Sequence, residues 1–180
     1  MTQLQSVSKM DQAAVWAEAP LASIYSFVPA GGALHDRRVT SLTRRLVEAI
    51  RAHLETEGDP RSVRLADFEK EPGACVTAEP STIVCADLSQ ADTGAERLTV
   101  GLSEAVFVVS STDAASLYDA REKAARLRAI KRDDCYGLLL LPSPGGVTLT
   151  QAEDITGLPV CALLRQDSDV AQLARWLVQE

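Results

Sequence analysis

The sequence predicts an α/β fold, a three-layer α/β/α arrangement around a mostly parallel sheet of about six strands. Three observations carry this. Strand-like and helix-patterned segments alternate from residue 23 to the end of the chain. The strand-like segments are continuous apolar runs, not period-two alternations, as expected of strands covered on both faces. Gly, Pro and Asp clusters punctuate the joints between them. Right-handed crossovers between parallel strands then bring the strand C-terminal ends to one edge, where such folds bind ligands.

Residues 1–22 are polar and Ala-rich and are expected to form an N-terminal arm, with one α/β domain over 23–180. The first strand is Ser23-Ile24-Tyr25-Ser26-Phe27-Val28, rich in β-branched and aromatic residues and stopped by Pro29-Ala30-Gly31-Gly32. A long helix follows, with Val39, Leu42, Leu46, Val47, Ile50 and Leu54 spaced by threes and fours, ending near Gly58-Asp59-Pro60. Residues 63–68 read as a second strand, 69–80 as a loop, and Thr82-Ile83-Val84-Cys85-Ala86-Asp87 as a third strand closing on a carboxylate. A helix over 92–102 leads into the apolar strand 105–109, and the stripe Leu117, Ala120, Ala124, Leu127 and Ile130 marks a helix within 113–130. Strand 137–141, the turn Pro142-Ser143-Pro144-Gly145-Gly146, a short helix at 150–156, strand 159–164 and a terminal helix at 168–178 complete the pattern.

Composition narrows the function. With 46% hydrophobic and 24% charged residues the chain is an ordinary globular sequence. A net charge of -7 argues against sequence-independent nucleic-acid binding, and 4% aromatics is too few for a base-stacking platform. No stretch approaches the roughly 20 apolar residues of a membrane span, and the N-terminus lacks the basic head and apolar run of a signal peptide, so a cytoplasmic location is expected. Cys75, Cys85, Cys135 and Cys161 are scattered, and His35 and His53 are the sole histidines, so no metal site is expected. Cys85 and Cys161 lie inside apolar runs and read as small core residues. Arg44, Arg45 and Arg51 form a basic face on the long helix, read as solvated, with an acidic partner or membrane surface as the alternative.

The first strand, its Gly-containing loop and the helix after it have the frame of a phosphate-binding loop. Here the loop reads Ala30-Gly31-Gly32-Ala33-Leu34-His35-Asp36-Arg37. In place and length it resembles the K-G-G-x-G-K-T loop of the MinD/ParA group of P-loop ATPases, and it keeps both leading glycines. The signature Lys is replaced by Ala30, the third Gly by Leu34, the phosphate Lys by His35 and the Mg²⁺ hydroxyl by Asp36. Further pieces follow in family order. Leu65-Ala66-Asp67 is similar to the second strand with its terminal acid, and Ile83-Val84-Cys85-Ala86-Asp87-Leu88 to the Walker B strand, with Asp87 where the family contacts Mg²⁺ through water. The stretch 102–113 is similar to the family's next strand and its exit, and Gly157-Leu158-Pro159-Val160 opens a match to a late strand. Exopolysaccharide-type tyrosine kinases share this layout, but no C-terminal tyrosine cluster is present.

The resemblance implies a bacterial, P-loop NTPase-like fold with an altered Walker A loop. Loss of the Lys removes charge-assisted phosphate bonds of about 1.5–3 kcal/mol each. Asp36 is expected to cap the following helix and take the electrostatic role of the phosphate. The degenerate nucleotide-loop positions are therefore Gly31, Gly32, His35, Asp36, Arg37 and Asp87, with no catalytic residue assigned. The expected function is a non-catalytic scaffold or regulator acting through protein contacts, in cell division, partition, polar placement or exopolysaccharide control. Its partner is a second copy or an active relative, and no cofactor is required. The alternative is an ATPase with an atypical loop, in which Arg37 or Arg38 replaces the lost charge and Asp87 works with ATP and Mg²⁺. The terminal helix is expected to dock on the domain, not to anchor it to a membrane.

Overall fold

A computed structural model of the chain describes residues 22–67, 79, 81–131 and 135–179. Most of the expected N-terminal arm, Phe68 at the end of the expected second strand and nearly all of the loop at 69–80 lie outside the described residues. Six strands run in parallel: β1 (Ser23–Pro29), β2 (Ser62–Asp67), β3 (Thr82–Asp87), β4 (Ala105–Ser111), β5 (Tyr136–Leu141) and β6 (Val160–Leu163). Their order in the sheet is β2-β3-β1-β4-β5-β6. Among the described residues five helices connect or follow them: α1 (Gly32–Glu57), α2 (Thr93–Leu102), α3 (Ala114–Arg128), α4 (Leu149–Thr156) and α5 (Asp167–Gln179).

The sheet is covered on both faces. Tyr25, Phe27, Ile83, Cys85, Phe107, Val109 and Leu139 meet the apolar stripes of α1 and α5 on one side. Ile24, Val28, Val84, Val106, Val108, Leu138 and Leu140 meet α2, α3 and α4 on the other. Alternate residues of one strand thus enter opposite cores, and most positions of the central strands are apolar, with Ser26 and Ser110 buried among them, which is why these strands read as near-continuous runs. The arrangement is the expected three-layer α/β/α fold with a fully parallel sheet.

The element ends have local causes. Asp92 caps α2 by accepting from the Ala95 N–H at 2.7 Å, and Thr148 and Gln151 form a capping box on α4. The long helix α1 stops where Gly58 takes the left-handed conformation (φ 66), letting the Asp59 N–H reach the Leu54 carbonyl at 2.9 Å. One core expectation is corrected. Cys85 is fully buried, and burial pushes its thiol up to about 12. Cys161, in contrast, is exposed, because β6 is the outermost strand and its pairing with β5 slips between Leu138 and Leu139.

Candidate functional site

The chain leaves β1 through α1 toward β2 on one side of the sheet and leaves β4 through α3 toward β5 on the other. Such a reversal opens a crevice beyond the carboxyl ends of the two strands, the usual ligand position in open parallel sheets. The residues bounding it are Ala30 and Gly31 after β1, Thr112 and Asp113 after β4, and the first turns of α1 and α3. The Ala30 N–H donates to the Val109 carbonyl at 3.0 Å, which ties the two strand ends together. Ala30 itself is buried in the α3-side core, so the position of the family's signature Lys is part of the packing.

The main departure from the sequence reading is the start of α1. With Asp36 as its cap the helix is expected to start just after it; it begins at Gly32, directly after the extended Gly31, whose φ is 170. A phosphate-binding loop needs several residues wound around the anion before the helix starts. With Leu34 in place of the third loop glycine and Ala33 before it, both good helix formers, nothing in the local sequence resists helix from Gly32 onward. The expected cap by Asp36 is therefore corrected. Asp36 lies in the second helical turn, no side chain caps the N-terminus from Gly31, and the first turn carries no acid.

A carboxylate does stand at this N-terminus, from a different element. Asp119, two turns into α3, lies against Gly31: a Cβ placed there would sit 3.4 Å from its Oδ2. The helix dipole favours negative charge at that point. Sequence reasoning missed Asp119, since an exposed helical acid carries no signal of what the fold sets opposite it.

Asp87 ends β3 next to β1, in register with Phe27 and with Asp67 at the end of β2. Its side chain is buried, and its Oδ1 accepts from the Ser89 N–H at 3.0 Å, so it shapes the turn out of β3. Ser89 Oγ meets Thr40 Oγ1 at 3.0 Å, fastening that turn to α1. Arg37 lies in the second turn of α1 and is exposed. With Asp36, Thr40, Ser41, Arg44, Arg45, Glu48 and Gln90 it lines an open groove of about 360 Å³ along the outer side of α1. The structure brings Gly31, Gly32 and Asp87 to one sheet edge and sets Arg37 in the groove that runs from Gln90, after β3, along α1. For His35 only the helical backbone is described.

Across the crevice, Thr112 organises the exit of β5. Its Oγ1 accepts from the Ser143 N–H and contacts Ser143 Oγ, both at 3.0 Å, while the Val147 N–H donates to its carbonyl at 2.9 Å. A Cβ at Gly146 would overlap the Thr112 hydroxyl, so the close approach needs glycine there. Among the described residues no group of three or more His, Cys, Asp or Glu is placed to hold a metal ion. Among them also, no helix is long and apolar enough to cross a membrane.

Comparison with solved structures agrees with this architecture. The MinD cell division protein of Aquifex aeolicus superposes with a TM-score of 0.65 at 11% identity, over 88% of this chain and 98% of that one. The MinC:MinD cell division protein complex of the same organism gives 0.63 at 11% identity, over 88% and 97%. A ParA family ATPase from Chlorobium tepidum TLS gives 0.60 at 13% identity, over 87% and 89%. No family model matches the chain, and no curated protein matches it. The fold is that of the MinD and ParA ATPases.

Proposed function

We propose that the chain is a non-catalytic relative of the MinD/ParA ATPases with a degenerate Walker A loop, a bacterial cytoplasmic scaffold or regulator that acts through protein–protein contacts. The observation that carries this reading is the first turn of α1. The segment that would wrap a triphosphate is instead continuous helix from Gly32, and the Asp119 carboxylate lies against Gly31 at its entrance. A triphosphate brought to that point would meet a like charge and find no Lys at Ala30 or His35 to offset it. Asp36, at the position of the Mg²⁺-holding hydroxyl, lines the outer groove of α1. These groups do not suit ATP and Mg²⁺, and no catalytic step is assigned to them.

A protein of this fold without a nucleotide switch retains its surfaces, and partner binding is the use left to it. One of the similar structures is a MinC:MinD complex, so a chain with this fold does assemble with a protein partner. Cell division, partition, polar placement and exopolysaccharide control are the settings in which such a regulator would act.

The test is thermal unfolding with ATP, ADP and GTP at millimolar concentration, each with and without Mg²⁺. No shift is expected. A nucleotide at a hundred times its dissociation constant stabilises by about 2.7 kcal/mol. For a chain of this length that is a rise in Tm of about 5–11 °C. A Mg²⁺-dependent rise of that size would overturn the proposal and make the chain an ATP-binding protein with an atypical loop.

A further inference from the structure

The outward face of α1 is complementary in charge to itself. At 3.6 residues per turn, Arg37, Ser41, Arg44, Glu48, Arg51 and Glu55 fall on one stripe about 80° wide, opposite the buried Val39, Leu42, Leu46 and Ile50. All six stripe residues are exposed. Among the described residues, none of the five charged ones enters an ion pair. Within the helix, Arg precedes Glu at both i, i+4 spacings (Arg44 and Glu48, Arg51 and Glu55), the less favourable orientation for such pairs. Glu48 does precede Arg51 at i, i+3, a favourable spacing, but no ion pair is made there, and the charges of the stripe remain available to a partner.

We infer that this stripe is a homotypic docking surface, on which a second copy of the chain packs its own α1 antiparallel across a two-fold axis near position 46. Positions 37 and 55 are equidistant from that centre, as are 44 and 48, and 41 and 51. Arg37 then faces Glu55 of the second copy, Arg44 faces Glu48, and Ser41 faces Arg51. The two-fold repeats each pair in the opposite sense, the isologous pattern of a closed dimer. No like charges meet in this register. Sliding the centre toward the C-terminal end would carry Arg37 past the end of the partner helix at Gly58 and disengage it.

The charge of the whole molecule favours the same face. Two chains of net charge -7 repel, and contact is least costly where the surface is least acidic. The stripe carries three arginines against two glutamates. Small residues flank it, with Ser41 on the stripe and exposed Ala52 beside it, so the helices can approach closely enough for arginine stems to pack. Exposed ion pairs are individually weak and screened by salt, so the dimer is expected to be weak and salt-sensitive. This surface is the outer side of α1, and its use needs no nucleotide.

Analytical ultracentrifugation of the whole chain without nucleotide, at about 0.03 and about 0.5 M NaCl, tests the proposal. Wild-type protein at about 200 μM is expected to dimerise at low salt and to dissociate at high salt. Arg44→Glu sets Glu against Glu48 of the second copy, and Glu48→Arg sets Arg against Arg44. Each is expected to weaken the dimer at least about tenfold. The double variant Arg44→Glu/Glu48→Arg re-forms the pair with its signs exchanged and is expected to return to within about threefold of wild type. Circular dichroism checks that these solvent-facing variants remain folded. A wild type that stays monomeric at low salt, or a double variant that fails to recover, would overturn the inference.

Discussion

Asp113, the second residue after β4 and the N-cap of α3, shows how a side chain at the sheet edge is put to structural use. Its Oδ1 accepts from the Ser116 N–H at 2.9 Å and its Oδ2 from the Ser116 hydroxyl at 2.8 Å. The Ser111 hydroxyl in turn donates to Ser116 Oγ at 3.0 Å. The backbone bond from Ser116, with smaller help from the Ser111 and Ser116 hydroxyls, outweighs desolvation and holds the carboxyl at about 2, below the ordinary 3.8. A depressed folded-state value means the stabilisation is complete above about 3.8 and is lost as the pH falls toward about 2. Asp113 is partly buried, and its effect is that of an ordinary N-cap, about 1 kcal/mol. Asp113→Ala is expected to lower Tm by about 2–4 °C at pH 7, with the gap to wild type closing between about pH 4 and 2. Asp113→Asn, which can still cap, should recover most of the loss at pH 7 but not the pH dependence. Thermal scans of the three proteins from pH 7 to 2 check both statements, and a gap that stays constant with pH would refute the assignment.

At the scale of elements, the outer strand pair β5–β6 depends on a missing side chain. Gly137 on β5 faces Phe107, which stacks on Phe27 with ring centroids 5.4 Å apart and meets Trp176 of α5 edge-on at 6.1 Å. A Cβ at Gly137 would overlap Cys161 Sγ and come within 3.3 Å of the Phe107 ring. Phe107 is held between its neighbours, whereas Cys161 on the exposed edge can rearrange. Gly137→Ala is expected to cost about 1–3 kcal/mol. Cys161→Ala should relieve part of that cost, with a coupling of at least about 0.5 kcal/mol in a double-mutant cycle read by urea denaturation. Additive effects would mean that the ring, not the thiol, sets the penalty. The same strand pair shows where the sequence was silent. The run through Cys161 reads as core because it is apolar, but nothing local says that β6 is outermost, so which of Cys85 and Cys161 is buried depended on strand order. The start of α1 was obscured in another way. Two glycines after a strand suggested a loop, and the helix-forming Ala33 and Leu34 outweighed that expectation. The central strands were legible nearly to the residue, because burial on both faces leaves a near-continuous apolar run, whereas β2, with Arg64 inside it, was marked by its flanking turn residues. Asp87 could be placed at a strand end from sequence, but its tie through Ser89 to Thr40, and Asp119 beside Gly31, arise from tertiary packing alone.

For the whole molecule, the sheet divides the interior into two cores that share only its backbone. Leu46 of α1 belongs to the core on one face and Leu117 of α3 to the core on the other, and both are fully buried. The functional proposals rest on this division. The crevice between β1 and β4 opens at the seam of the two cores, while the self-complementary stripe lies on the outside of one of them. A surface on α1 can therefore bind a partner without disturbing the edge where a ligand of this fold would sit. The division also makes a prediction about stability. Leu→Ala at either position removes apolar contacts and leaves a cavity, at a cost of about 2–5 kcal/mol. The two cavities open on opposite sides of a layer of strands and share no side-chain neighbours, so their effects should add within about 0.5 kcal/mol. The sum is comparable to the total stability of about 5–15 kcal/mol typical of a domain. The double variant Leu46→Ala/Leu117→Ala is thus expected to be unfolded or nearly so under conditions where each single variant is folded. Urea titration of both single variants, with the double followed at low temperature, measures the sum. A double variant markedly more stable than the sum would mean that the sheet relaxes toward one cavity when the other forms, and that the two faces are mechanically one core.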